Sequence, residues 1–325
     1  MRKLILFILF FHLYSLAYNQ KIKGTILDKK NDSTILFASI YFNGTFVGTS
    51  SDVNGKFELD ISKQVSMPIT VSATGYYSVT LANFSTSQPL IIYLNPKVFK
   101  LDEVIVVAKS LVRRRMMNLR IFRDEFLGTT RNAQNCIILN EDDIKFDYNT
   151  DSNTLRAYAS KPIIIDNKAL GYKVAYYLDN FEYNRKNRTT FFYGNIIFNE
   201  EISSTSTKEY FEYKRKKTYL GSRGHFLRSL WMDDLKTNEF TVYSYNAKNL
   251  KYNDVVSEDE NGTKFISYPE FLEIVYHNFV SYLEFCEKYV YFQANGYFDP
   301  SGLKWRGEMA NHRIADWLPY EYDPK

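Results

Sequence analysis

Gly48-Thr49-Ser50-Ser51-Asp52-Val53-Asn54-Gly55-Lys56-Phe57 is the stretch whose reading decides the fold of the first third of the chain. Asp52-Val53-Asn54-Gly55 is turn chemistry. Asp and Asn side chains fold back onto nearby backbone N–H groups, and Gly supplies the positive φ that other residues resist. It reads as a hairpin turn. Lys56-Phe57-Glu58-Leu59-Asp60-Ile61 then alternates, placing Phe57, Leu59 and Ile61 on one face of a strand. Working outward, Lys23–Asp28, Ala38–Phe42, Ile69–Ala73 and Leu90–Leu94 are further strand-like runs. Asn43-Gly44 marks another hairpin turn, and Thr74-Gly75-Tyr76 a turn. Turn signals at intervals of about 8–12 residues predict a sandwich or barrel over residues 21–97.

The ordered pieces Gly24-x-Ile26, Ala38-Ser39-Ile40, Asn43-Gly44-Thr45, Gly48 to Phe57 and Ala73-x-Gly75-Tyr76 resemble the carboxypeptidase regulatory-like domain. The resemblance implies a transthyretin-like sandwich of about seven strands. It implies no catalytic site, because Asn43, Gly44, Asn54, Gly55 and Gly75 serve the turns. In metallocarboxypeptidases this module accompanies the catalytic domain and does not itself cut peptides. A zinc peptidase needs His-x-x-Glu with a distant His, or His-Glu-x-x-His. Three residues after His225, His277 and His312 stand Arg228, Val280 and Ala315, so neither a metal site nor a cofactor is expected.

The amino terminus predicts export. Arg2 and Lys3 precede the apolar run Leu4–Phe11, and Ser15-Leu16-Ala17 places small residues at a cleavage site. Residues 1–17 read as a signal peptide, with a mature start near Tyr18. The run is shorter than the roughly 20 residues a membrane span requires. Without Arg2 and Lys3 the 41 basic residues become 39 against 37 acidic ones, so the net charge falls from +4 to +2. No nucleic-acid footprint follows from that balance. The basic run Lys214–Lys217 reads as a solvated strand end or loop. Cys136 and Cys286 leave two alternatives open, one disulfide or two buried free thiols.

Residues 98–128 read as a linker. Leu101–Ala108 resembles the segment trailing this domain in TonB-dependent receptors of Bacteroidetes-type outer membranes. About 215 residues remain after it, too few for a plug and a barrel of roughly 22 strands. An extra edge strand is the simpler reading. Arg113–Leu127 then predicts a helix. Met116, Leu119, Phe122, Phe126 and Leu127 recur at helical spacing, and Gly128 is placed to stop it.

Residues 129–325 read as a larger antiparallel β-rich domain with a few short helices. Tyr and Phe, 27 and 25 in number, suit its pleated surfaces. Strand-like runs occur at 135–139, 155–159, 161–167, 170–178, 190–198, 240–245, 271–276 and 288–292. Lys217–Leu230 breaks the pattern with a turn and a short helix, for which Ser222 is the candidate N-cap. Tyr219-x-Gly221-Ser222-x-x-His225-Phe226-Leu227-Arg228, with Leu170-Gly171-Tyr172 and Ala315-Asp316-Trp317-Leu318-Pro319, resembles a region of unknown function following the regulatory-like domain in Bacteroidetes envelope proteins. Tyr219, Ser222, His225 and Arg228 are therefore the candidate ligand or partner surface.

The sequence points to a non-catalytic exported protein, periplasmic or outer-membrane associated and not integral to the membrane after cleavage. Its expected partners are other envelope proteins or glycans. The alternative is a secreted hydrolase with a site assembled across the second domain. Ser222 with His225 offers a nucleophile and a base but no elbow motif. Asp142-Asp143 and Asp233-Asp234 offer carboxylates whose simplest roles are loop solvation or capping.

Overall fold

The computed structural model describes residues 21–62, 67–97, 109–201 and 205–324. The expected signal peptide and the Leu101–Ala108 segment lie outside the described residues. The chain is mainly β and divides into two compact units. The first comprises residues up to 103 with the short pieces 160–162 and 194–197, and the second the remainder.

The first unit holds β1 (Lys21–Asp28), β2 (Ser39–Phe42), β3 (Gly48–Ser50), β4 (Lys56–Asp60), β5 (Ile69–Ser72), β6 (Val79–Leu81) and β7 (Leu90–Leu94). They form two sheets, ordered β4-β1-β7 and β3-β2-β5-β6. Alternation decides which residues enter the core: Ile22, Ile26, Phe57, Leu59, Ile92 and Leu94 are buried in the first sheet, Ile40, Ile69 and Val71 in the second. Gly24 lies where β1 is paired on both edges. A Cβ there would stand 2.4 Å from the Leu90 carbonyl oxygen and 2.7 Å from the Phe57 ring. Only glycine lets the strand and that ring approach so closely.

The decisive turn does more than a hairpin. The Asp52 carboxylate accepts the N–H groups of Asn54 at 2.8 Å and Lys56 at 2.9 Å. Gly55 adopts φ +73°, and its carbonyl accepts the Ile26 N–H at 2.8 Å. Yet β3 and β4 belong to different sheets, so the expected hairpin is a corner that carries the chain from one sheet to the other. Asn43-Gly44 does join the antiparallel pair β2–β3, and Gly44 and Gly75 both take positive φ.

The second unit opens with α1 (Lys109–Phe126), which ends at Gly128, φ +97°. Its buried Phe122 and Phe126 dock on a sheet built from β8 (Cys136–Ile138), β9 (Ile144–Asn149), β10 (Thr154–Ala159), β11 (Ile163–Asn167), β12 (Tyr172–Asn184) and β13 (Thr189–Glu200). The order is β8-β11-β12-β10-β9, with β13 also on β12. Long β12 pairs β11 through Tyr172–Tyr176 and β10 through Glu182–Asn184. Phe122 meets Phe126 and Phe181 at 4.8 Å between ring centroids and Phe146 at 6.0 Å. This aromatic cluster explains why Phe122 and Phe126 are turned inward; Met116, expected on the same stripe, is exposed because it lies a turn and a half before the cluster begins.

Next come α2 (Thr205–Tyr219), α3 (Arg223–Trp231), β14 (Phe240–Tyr243), α4 (Tyr252–Val255), β15 (Val256–Glu258), β16 (Lys264–Ile266), β17 (Leu272–Tyr276), β18 (Phe279–Phe285), β19 (Val290–Tyr291), β20 (Leu303–Gly307) and α5 (Glu308–Asn311). They make one sheet ordered β14-β17-β18-β20 and another ordered β15-β16-β19. Lys214–Lys217, expected at a strand end or in a loop, lies inside α2. Lys, Arg and Glu are strong helix formers, and nothing in 205–219 breaks the helix. Arg215 is turned inward: its Nε donates to the Leu170 carbonyl at 2.8 Å, and its guanidinium lies 4.0 Å from the Tyr172 ring centroid. The two cysteines form no bridge. Cys286 is exposed and Cys136 half-buried, so the reading of two buried thiols is corrected as well. Among the described residues no helix is long and apolar enough to cross a membrane.

Truncating Phe122 to Ala should cost about 3–5 kcal/mol, the range for a fully buried aromatic side chain. Chemical denaturation would measure it. Gly24→Ala should destabilise the first unit by about 1–3 kcal/mol, because the backbone of β7 cannot retreat from an added methyl.

Candidate functional site

Ser222 caps α3. Its Oγ accepts the backbone N–H of His225 at 3.2 Å, which satisfies one of the N–H groups that a helix start leaves open. The hydroxyl therefore engages the main chain of His225 rather than its ring. The ring has its own partners. Gly221 N–H donates to Nδ1 at 3.1 Å, and Nε2 lies 3.2 Å from the Asn238 amide oxygen. The Asn238 amide nitrogen donates to the carbonyl and carboxylate of Asp234. That fixes the amide with its oxygen toward His225, so Nε2 carries the ring proton and Nδ1 accepts.

Burial lowers the His225 pKa below its usual value, and Arg228 lowers it further against the Asn238 hydrogen bond. The ring packs among Tyr219 at 4.9 Å, Phe240 at 4.8 Å and Tyr276 at 5.7 Å. Tyr219 is itself buried, which raises its hydroxyl pKa. Arg228 donates to three carbonyls: Asn295 at 2.9 Å, Tyr322 at 2.6 Å and Tyr320 at 2.9 Å. The structure brings Tyr219, Ser222, His225 and Arg228 together. It turns them to interior work: the polar atoms of Ser222, His225 and Arg228 hold backbone or a fixed amide, and Tyr219 lies against the Arg228 guanidinium, so Ser222 and His225 are not arranged as a nucleophile and its base.

A second polar cluster lies where the sequence offered only a resemblance. Asp316, in the short 3-10 turn Ile314–Asp316, is buried. Its carboxylate accepts the Thr130 hydroxyl at 2.9 Å and the Asn132 amide at 2.8 Å. Asn132 also donates to the Thr218 hydroxyl at 2.9 Å, and Asn167 donates to the Ala315 carbonyl at 3.0 Å. Burial raises the Asp316 pKa against those hydrogen bonds. Cys136 is near enough to feel the charge of Asp316, and burial foremost pushes its thiol up to about 12. A thiol so protonated is no nucleophile at neutral pH. Of the adjacent carboxylates, Asp142 and Asp143 lie in the 3-10 turn Glu141–Asp143: Asp142 faces solvent beside Arg115 at 3.6 Å, and Asp143 accepts from Asn140 at 3.0 Å. Asp234 holds Asn238, and Asp233 takes φ +55° after α3. Among the described residues no group of three or more His, Cys, Asp or Glu side chains is arranged to hold a metal.

Two outward features escaped the sequence reading, because each depends on chain segments meeting in space. In the first unit a recess of about 370 Å³ is lined by Thr34, Leu36, Phe37, Thr74 and Tyr76 among others. Phe37 is 66% exposed at φ +54°, a conformation that costs a non-glycine residue about 1–2 kcal/mol. Tyr76 is anchored by its hydroxyl on the Asp28 carboxylate at 2.8 Å. In the second unit the outward face of β14-β17-β18-β20 carries linked aromatic rings. Tyr245 meets Phe271 at 5.6 Å, and Phe271 meets Tyr282 at 5.8 Å.

Ser222→Ala should cost about 1 kcal/mol, the usual worth of an N-cap. His225, kept neutral by burial, binds fewer protons folded than unfolded once the pH falls below its unfolded value near 6.5. Its contribution is therefore intact at neutral pH and lost on acidification. His225→Gln should flatten that part of the stability–pH curve, as read by denaturation between pH 7.5 and 5.5.

A comparison with curated proteins finds no match. The model of the CarboxypepD_reg-like domain matches residues 22–106, a span that takes in all seven strands of the two sheets of the first unit. That domain is a generic β-sandwich and is not catalytic. The chain therefore carries a carboxypeptidase regulatory-like domain at residues 22–106.

Proposed function

We propose that the mature chain is an exported cell-envelope protein, periplasmic or outer-membrane associated, that binds or scaffolds a partner and performs no covalent chemistry. Export is supported by Arg2-Lys3, the Leu4–Phe11 run and the small residues Ser15 and Ala17. The observation that carries the non-catalytic reading is the state of His225. Both ring nitrogens hold structural hydrogen bonds, and the neighbouring Ser222 hydroxyl caps a helix instead of facing the ring. A general base needs a free nitrogen within reach of the proton it removes. The exposed aromatic features of both units support a binding role, since clustered surface aromatics mark recognition surfaces.

Protein recovered from the envelope fraction should start near Tyr18 on amino-terminal sequencing. Full-length protein confined to the cytoplasm would refute export. The purified mature chain should give no turnover of chromogenic ester, peptide and glycoside substrates. Turnover that persists through purification and disappears in His225→Gln would establish the hydrolase instead.

A further inference from the structure

Five asparagines in the chain open an Asn-x-Ser/Thr tripeptide: Asn31, Asn43, Asn83, Asn187 and Asn261. That spacing is what N-glycosylating enzymes read in exported chains. The amide nitrogen takes the sugar, and the hydroxyl two residues on helps to seat it. Two positions before these asparagines stand Lys29, Tyr41, Leu81, Arg185 and Asp259. Asn261 alone follows an acid. The oligosaccharyltransferases of bacterial envelopes seat a carboxylate at that position against a cation of their own, a charge-assisted contact that fixes the acceptor segment. Asp259-Glu260-Asn261-Gly262-Thr263 therefore carries acid, amide and hydroxyl at the required spacing.

The structure presents this stretch for capture. It links β15 to β16, which pair antiparallel with Glu258 opposite Lys264. Residues 259–262 are exposed, with Thr263 half-buried at the base of the loop. The Asp259 carboxylate accepts the N–H groups of Asn261 at 2.9 Å and Thr263 at 2.8 Å, and Gly262 turns the chain at φ +78°. The Thr263 N–H foremost holds the Asp259 pKa below its usual value, so the acid is charged at neutral pH. Asn261 stands at the tip, and its side-chain amide has no partner among the described residues. An amide nitrogen is a weak nucleophile because its lone pair is delocalised, so access without competing bonds matters. Asn43 fails that condition: it is half-buried, and its oxygen holds the Ile196 N–H at 2.7 Å. Asn187 is as exposed as Asn261, in the turn between β12 and β13, but the residue two before it is Arg185, of the wrong charge.

We propose that Asn261 is an N-glycosylation site of the exported chain, its donor an oligosaccharide carried on a polyprenyl diphosphate. Asn261 Nδ2 bonds to the anomeric carbon of the first sugar, and the bond from that carbon to the diphosphate oxygen breaks. The polyprenyl diphosphate leaves with the electron pair, and the amide gives up one proton to a carboxylate of the transferase. The inference rests on the export reading. The test is peptide mass spectrometry on the whole chain recovered from the envelope of the cells that make it. The peptide holding Asn261 should carry an added oligosaccharide mass, and Asn261→Gln should remove it. Asp259→Asn should lower occupancy tenfold or more. An Asn at that position still accepts the turn N–H groups, so the loss reads the charge and not the shape of the loop. Asn187→Gln should change nothing. A chain that starts near Tyr18 and carries a bare Asn261 overturns the inference and leaves export standing. Full occupancy in Asp259→Asn, or sugar on Asn187 in place of Asn261, also overturns it. A chain still beginning at Met1 and confined to the cytoplasm overturns the export reading itself, so the two failures are distinguishable.

Discussion

Arginines that donate to main-chain carbonyls, Arg215 buried and Arg223 and Arg228 half-buried, tie the second unit together. Much of its chain is irregular, and irregular backbone inside a protein carries carbonyl groups that no ladder satisfies. A guanidinium brings five donors in a fixed plane and stays charged. Arg228 serves Asn295, Tyr320 and Tyr322; Arg223 serves Met309 at 2.9 Å and His312 at 3.1 Å; Arg215 serves Leu170. Burial draws the Arg223 pKa down to about 10, still far above neutrality. Each of these arginines is set on α2 or α3, so the two helices act as racks of donors against which loops and the final segment are laid.

This division of labour explains how the two units differ in kind. The first is a sandwich whose order comes from alternation and turns. The second mixes sheets with helices, and its polar interior is organised by Asp316, Asn132, Asn167 and the arginines. Its aromatic packing around Phe122 and Phe126 supplies the apolar share. The regularity of a sandwich, in which each strand repeats the same inside–outside rule, has no counterpart in the loops on either side of β19 and β20.

Legibility in the sequence follows from that contrast. Alternation in Lys56–Ile61 and the turn residues Asn43, Gly44, Asn54, Gly55 and Gly75 are local signals, so the first unit could be read strand by strand. What the local signal could not show is that the Asp52–Gly55 turn changes sheets, because pairing partners are chosen far along the chain. Ser222 as an N-cap was legible for the same reason: capping is decided within four residues. The interior role of Tyr219, His225 and Arg228 was not, since Asn238, Asn295, Tyr320 and Tyr322 are assembled by tertiary structure. The charged run at 214–217 misled because its neighbours Tyr210, Phe211 and Tyr213 have strand preference, while the intervening Lys, Arg and Glu favour the helix that forms. The contacts linking Tyr245, Phe271 and Tyr282 were invisible before β14, β17 and β18 were placed in register.

The bonds from Arg228 to Tyr320 and Tyr322 span 92 and 94 residues, and those from Thr130 and Asn132 to Asp316 span 186 and 184. Contacts of such long sequence separation close late in folding, because the entropy of the intervening loop must be lost first. During synthesis the second unit thus lacks its latch until residues 316–322 have left the ribosome. Until then the Arg228 guanidinium on α3 lacks two of its three carbonyl partners, with Asn295 alone in place.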